Sequence, residues 1–177
     1  DGICHLYLAA DAPTDMAVAL SVNSKCQRVE VCNALETLLI DSAAAERLLP
    51  PLSEAFADQG VTLHGCHETR RIVPDTKLAT EEDWATEYLG ATLAVRVVNG
   101  IEEAIAHIRT YGSGHTDGIV TNSLLLSQQF TSAVDSSSVL VNASTRLSGG
   151  GAYGLGAVVG ISTGKLHARG PVGPADL

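Results

Sequence analysis

Hydrophobic and polar positions along the chain fall into two alternating rhythms. Short apolar runs have the length and β-branched content of buried strands: ICHLYLA (3–9), ALETLLI (34–40), VTLHG (61–65), TLAVRVV (92–98), DGIVT (117–121) and SSVLVN (137–142). Between them lie segments with helical spacing. DAPTDMAVALSVNSKC (11–26) has a start signal at Thr14 or Asp15, followed by Met16, Ala19 and Leu20 on one face. AAAERLLPPLSEAFADQG (43–60) is opened by Asp41 or Ser42. Its Pro50-Pro51 pair is expected to kink or split the helix, and Gly60 to stop it. GIEEAIAHIRTYG (100–112), closed by Gly112, and SLLLSQQFTSAV (123–134) complete the set. The polar stretch 66–86 reads as an irregular excursion.

Strands alternating with amphipathic helices place the chain in the α/β class, with a mainly parallel sheet flanked by helices. Ligands in such sheets usually sit beyond the carboxyl ends of the strands. The last third differs in kind. Nine of the seventeen glycines lie between Gly149 and Gly173, so backbone there can approach a ligand or cradle an anion. Embedded Tyr153, Leu155, Val158, Val159 and Ile161 argue against simple disorder. No GxGxxG follows a strand and no Walker motif is present, so the chain carries no dinucleotide fingerprint.

Composition narrows the function. At 177 residues, with 45% hydrophobic, 18% charged and only 4% aromatic residues, the chain suits one domain with a core of Ala, Val, Leu and Ile. A net charge of −9 argues against nucleic acid or an anionic membrane as partner, yet a few local Arg or His residues can still receive an anionic small substrate. No apolar stretch approaches the ~18 residues of a membrane span. The chain opens without Met straight into a strand-like run, which suggests a fragment or a processed piece. Cys4, Cys26, Cys32 and Cys66 form no CxxC, so reduced thiols in the cytosol are expected. His64, Cys66 and His67 (HGCH) are the one compact ligand-like cluster. Further ligands are not evident, and no metal is expected.

Several positions carry candidate chemistry. Cys32, in the connection after a helix, is either a nucleophile or a small packed residue; Arg28 and Lys25 upstream offer the cationic field that favours a thiolate. Glu87 stands beside the only Trp and a Tyr (EEDWATEYLG). His115 lies in the helix-capping loop YGSGHT, where Gly112 and Gly114 permit unusual backbone angles. Arg146 in NASTR sits just beyond a strand end, suited to gripping a carboxylate or phosphate in bidentate fashion. His167 and Arg169 in LHARGPVG read as structural.

VCNALETLLI, EDWATEYLGATLAVRVV, EAIAHIRTYGSGHTDGIVT, VNASTR and GLGAVVGISTGKLHARGPVG, in this order and spacing, resemble the gamma-glutamyl phosphate reductases, a branch of the aldehyde dehydrogenase superfamily. The resemblance covers essentially the whole chain. It implies an aldehyde-dehydrogenase-like catalytic domain over 1–145, a Gly-rich return segment over 146–177, and a preceding NADP-binding domain outside this chain. It further implies reduction of L-glutamyl 5-phosphate by NADPH to glutamate 5-semialdehyde, NADP⁺ and phosphate in proline biosynthesis, in a cytoplasmic homo-oligomer. Cys32 matches the family's nucleophile and Glu87 the glutamate that positions the nicotinamide ribose. The backbone N–H of Cys32, with Asn33, would stabilise the oxyanion. Arg28, His115 and Arg146 are candidates for the substrate's phosphate and carboxylate. The chain departs from the family pattern at Val29-Glu30, Gly149, Ala152 and Val158. A non-catalytic paralogue or oligomerisation module is the alternative these departures raise.

Overall fold

The computed structural model describes residues 1–176. Five consecutive buried residues form β1 (Cys4–Leu8), and seven more form β2 (Leu35–Asp41). Continuous burial means that both faces of these strands are covered. Leu6 and Leu8 face α1 (Thr14–Cys26) and α2 (Ala45–Asp58), among Leu48, Leu52 and Phe56. Tyr7 faces the other way, into a second cluster with α5 (Ile101–Tyr111) and α6 (Leu124–Ala133) through Ile105, Ile108 and Phe130. With β3 (Thr62–Gly65), β4 (Lys77–Leu78), β5 (Thr92–Val98), β6 (Thr116–Val120) and β7 (Ser138–Val141), these strands form one seven-stranded sheet in the order β4-β3-β5-β2-β1-β6-β7. Every pairing within it is parallel. The expected α/β class, a mainly parallel sheet flanked by helices, is therefore what the chain builds. A separate antiparallel pair, β8 (Gly160–Ser162) with β9 (Gly170–Val172), lies in the Gly-rich segment.

Three local expectations need correction. Asp41 does not open α2. It ends β2, and its carboxylate accepts the Tyr7 hydroxyl at 2.7 Å and the Ala43 N–H at 2.9 Å, while the helix starts at Ala45. Nor do Pro50 and Pro51 split the helix, which runs unbroken over Ala45–Asp58. The two prolines free the carbonyls of Glu46 and Arg47, and both of those residues are exposed, where water can serve. Finally, 66–86 is not irregular. It contains α3 (His67–Ile72), the edge strand β4 and the single turn α4 (Glu81–Trp84), held together by side-chain bonds rather than by hydrophobic periodicity. Asp83 is the knot, accepting from the Thr80 N–H (2.7 Å) and the Tyr88 hydroxyl (2.6 Å) and pairing with His64 Nδ1 (2.7 Å). Burial works against the charge of Asp83, but these bonds hold its carboxyl down at about 2.

Gly60 stops α2 as expected. At φ +69° it lets its own N–H reach Ala57 O (2.9 Å) and the Val61 N–H reach Phe56 O (2.9 Å), a Schellman closure that packs Val61 into the same cluster as Phe56. Of the two glycines after α5, only Gly114 takes a left-handed angle (φ +72°). Gly112 has an ordinary φ of −69° and is needed for space, since a β-carbon there would lie 2.5 Å from Ile108 O.

Candidate active site

The candidate residues gather at the amino ends of the parallel strands, opposite to the usual position for this class. Cys32 and Asn33 precede β2, Glu87 precedes β5, and His115 precedes β6. The carboxyl ends near β1 and β6 are occupied by the protein itself. There Asp11 accepts the Thr121 hydroxyl (2.6 Å) and the Asn122 N–H (3.1 Å), and Arg47 donates to Ala10 O (3.0 Å) and Ala12 O (2.8 Å).

A turn closed by the Ala34 N–H on Val31 O (2.9 Å) puts Cys32 and Asn33 at its centre. The closure uses neither residue's N–H. Cys32 is exposed, whereas Asn33 is buried and donates through Nδ2 to Arg146 O at 3.4 Å, its Oδ1 left without a partner. The turn is gripped from β1. Cys4 Sγ donates to Cys32 O at 3.2 Å, and Gly2 lies so close that only a residue without a side chain fits beside that carbonyl. Burial, and then the nearby Asp117 carboxylate, push the Cys4 thiol well above its ordinary value, so it stays a donor.

Behind Cys4 stands His115, 2% exposed, with Nδ1 at 3.8 Å from Cys4 Sγ and 2.8 Å from Thr116 Oγ1. The Thr116 hydroxyl donates onward to Ser148 Oγ (2.7 Å), and the Ser148 hydroxyl to Thr145 O (2.8 Å). The direction of this chain puts the imidazole proton on Nδ1 and leaves Nε2 a buried lone pair without a partner. Burial lowers the pKa of His115 against the pull of Asp117, which favours the neutral ring. His115 therefore meets the cysteine loop from within the wall, through Cys4, and not as a cation on the open rim.

The cations of the rim are arginines. Arg28 is exposed. Arg146 is half-buried, donates through Nε to Gln27 Oε1 at 3.0 Å, and lies within electrostatic reach of both Arg28 and Cys32. Burial and the Arg28 charge pull the pKa of Arg146 below its ordinary value. Lys25, expected to add to this field, does not, because it is fully buried and committed to Glu36 at 2.7 Å. Glu30 is exposed. Glu87 is half-buried, and one carboxylate oxygen accepts the Gly2 N–H at 2.6 Å, linking it to the residue packed on Cys32.

Sequence reasoning missed Gly2, Cys4, Glu36 and Ser148 as parts of this site, and gave Lys25 a different role. A signal existed for Glu36, an acid inside a strand covered on both faces, which needs a buried partner. His64 and Cys66 of the HGCH cluster are engaged with Asp83 and Thr69 (3.3 Å). Among the described residues no group of three or more His, Cys, Asp or Glu side chains could hold a metal ion, and no helix is long and apolar enough to cross a membrane.

No model of a known protein family matches the chain. Among curated proteins, the gamma-glutamyl phosphate reductase of a Nitratiruptor species is 53% identical over 176 residues, covering 99% of this chain and 43% of that protein. The crystal structure of gamma-glutamyl phosphate reductase from Thermotoga maritima superposes with a TM-score of 0.97 at 44% identity, over 99% of this chain and 42% of that one. An acetylating aldehyde dehydrogenase from Geobacillus thermoglucosidasius shares the fold, with a TM-score of 0.67 over 85% of this chain and 42% of its own, at 22% identity. The chain spans less than half the length of these proteins. Over nearly its whole length it is a homologue of gamma-glutamyl phosphate reductase, with the fold of the aldehyde dehydrogenases.

Proposed function

We propose that the chain is the cysteine-bearing part, 1–145 with a return segment 146–177, of an NADPH-dependent reductase that converts L-glutamyl 5-phosphate to glutamate 5-semialdehyde in proline biosynthesis. The observation that carries this reading is an exposed Cys32 thiol on a turn held from β1 by Cys4, with the neighbouring Asn33 bonded to the Arg146 carbonyl. The similarity to gamma-glutamyl phosphate reductases supplies the reaction class.

The Cys32 thiolate attacks the acyl carbon, the bond from that carbon to the phosphate oxygen breaks, and phosphate leaves, giving a thioester on Cys32. Arg28 and Arg146 receive the phosphate and carboxylate charges, for which guanidinium geometry is suited. The free N–H groups of the turn, with Asn33, stabilise the oxyanion at the attacked carbon. His115 acts from behind, holding Cys4 against the Cys32 carbonyl. Bound NADPH would supply the hydride that takes the thioester to the aldehyde level. The Glu87 carboxylate suits the ribose of that cofactor, because it is anchored by one oxygen on Gly2 and retains acceptor capacity for a diol. On this reading the remainder of the cofactor site falls outside these residues. On the same reading the complete protein is a cytoplasmic homo-oligomer. The test is Cys32→Ala in the full-length protein, with NADP⁺ reduction by glutamate 5-semialdehyde and phosphate as readout. Loss of turnover to background is expected, and retention of most activity would remove Cys32 from the mechanism.

A further inference from the structure

Lys25 and Glu36 form an ion pair at 2.7 Å with both side chains 0% exposed, an expensive arrangement for stability alone. Replacing such pairs by well-packed apolar residues is often neutral or stabilising, so its presence invites another explanation. Lys25 is the penultimate residue of α1, and Glu36 the second residue of β2. Glu36 offers Oε2 to Lys25 and Oε1 to the backbone N–H of Leu89 at 3.3 Å. The Lys25 ammonium also lies 5.8 Å from the centre of the Tyr88 ring. Leu89 itself has φ +50°, an angle that a leucine keeps only when its surroundings fix it. The segment so held begins one residue after Glu87.

We propose that the Lys25–Glu36 pair is a positioning device for Glu87. The pair grips the Leu89 backbone N–H from the sheet side, while Gly2, just before β1, grips the Glu87 carboxylate, so the acid is presented at the rim beside Cys32. Lys25 keeps Glu36 ionised, and an ionised carboxylate has two oxygens to divide between the cation and the loop. Burial drives both groups toward their neutral forms, and their mutual attraction opposes this. The inference deepens the reading of Glu87 as a cofactor-ribose ligand and rests on it.

Three variants of the full-length protein test the device. Lys25→Met/Glu36→Met removes the charges and the acceptor while filling the space. Lys25→Met/Glu36→Gln removes the charges and keeps an acceptor. Glu87→Gln probes the underlying reading. The readouts are amide hydrogen exchange at Leu89, thermal stability, and the dissociation constant for NADPH by titration. The double-methionine variant is expected to fold, to lose protection at Leu89, and to bind NADPH about tenfold more weakly, the size of one lost hydrogen bond. The methionine–glutamine variant keeps an acceptor but lacks the cation and the second oxygen, so it should show the same losses; full recovery there would overturn the role of the ion pair. A folded double-methionine variant with wild-type Leu89 protection and unchanged NADPH affinity would overturn the proposal. If Glu87→Gln leaves NADPH affinity unchanged, the role of Glu87 fails, and exchange at Leu89 alone then decides whether the pair holds the loop.

Discussion

A β-carbon on residue 2 would lie 1.7 Å from the carbonyl oxygen of Cys32 and 2.7 Å from its Cα, so Gly2 and Cys32 are in direct backbone contact. The atoms in the way are backbone, which cannot rotate aside. Gly2→Ala must therefore displace the cysteine turn, with an overpacking cost of about 1–3 kcal/mol. It should also disturb the Gly2–Glu87 bond. Thermal denaturation of the variant checks the cost, and the rate of Cys32 alkylation checks the displacement of the turn. A variant with wild-type stability and reactivity would show that the contact is not needed.

Gly60 is the converse. Nothing lies within 4 Å of a β-carbon placed there, but φ is +69°. Gly60→Ala is expected to cost about 1 kcal/mol through backbone strain alone, read as a drop in unfolding midpoint with the site unaltered.

The four thiols should react in the order set by exposure. Cys32 is exposed, Cys26 and Cys66 are intermediate, and Cys4 is buried with its thiol held in the protonated form. Timed alkylation of the folded protein, read by peptide mass, should label Cys32 first and Cys4 last. Early labelling of Cys4 would contradict the packing of β1 against the cysteine turn.

Stability should fall with acid in a window that His107 defines. Burial, then repulsion from His5 and Arg96, lowers the pKa of His107 from its ordinary 6.5 to about 3. Its stabilising contribution is complete above pH 6.5. Between 6.5 and 3 the unfolded chain takes up a proton that the folded chain refuses, so stability drops as pH falls through that range. His107→Phe should flatten this part of the pH–stability curve relative to the parent. An equally steep loss in the variant would rule His107 out as the cause.

How much of this was legible in the sequence depends on whether the cause is local. β1, β2 and β5 announce themselves because buried strands read as short, largely apolar runs. α2 and its stop at Gly60 follow from spacing and a single left-handed residue. The segment 66–86 was opaque because Asp83, rather than hydrophobic periodicity, holds it together. The prolines of α2 show a missing N–H in the sequence, but not that the freed carbonyls belong to exposed residues. At the site, Cys32 and Glu87 take their roles from the resemblance to family motifs, whereas Arg146 follows from its charge and its place beyond a strand end. Gly2, Cys4 and Glu36 act across elements distant in the chain, and no spacing rule reveals that a glycine before β1 abuts a cysteine before β2. Lys25 was misread for the same reason, since its partner lies eleven residues on, in another element.

On the proposed mechanism Cys32 carries the acyl group. The most direct measurement is the mass of the Cys32 peptide after the full-length protein is incubated with glutamate 5-semialdehyde and NADP⁺ in the absence of phosphate, then quenched in acid. Without phosphate to release it, the thioester should accumulate, adding one glutamyl group to the Cys32 peptide and being discharged when phosphate is supplied. An unmodified Cys32 peptide under conditions where NADP⁺ is reduced, or a glutamyl group on another residue, would contradict the account.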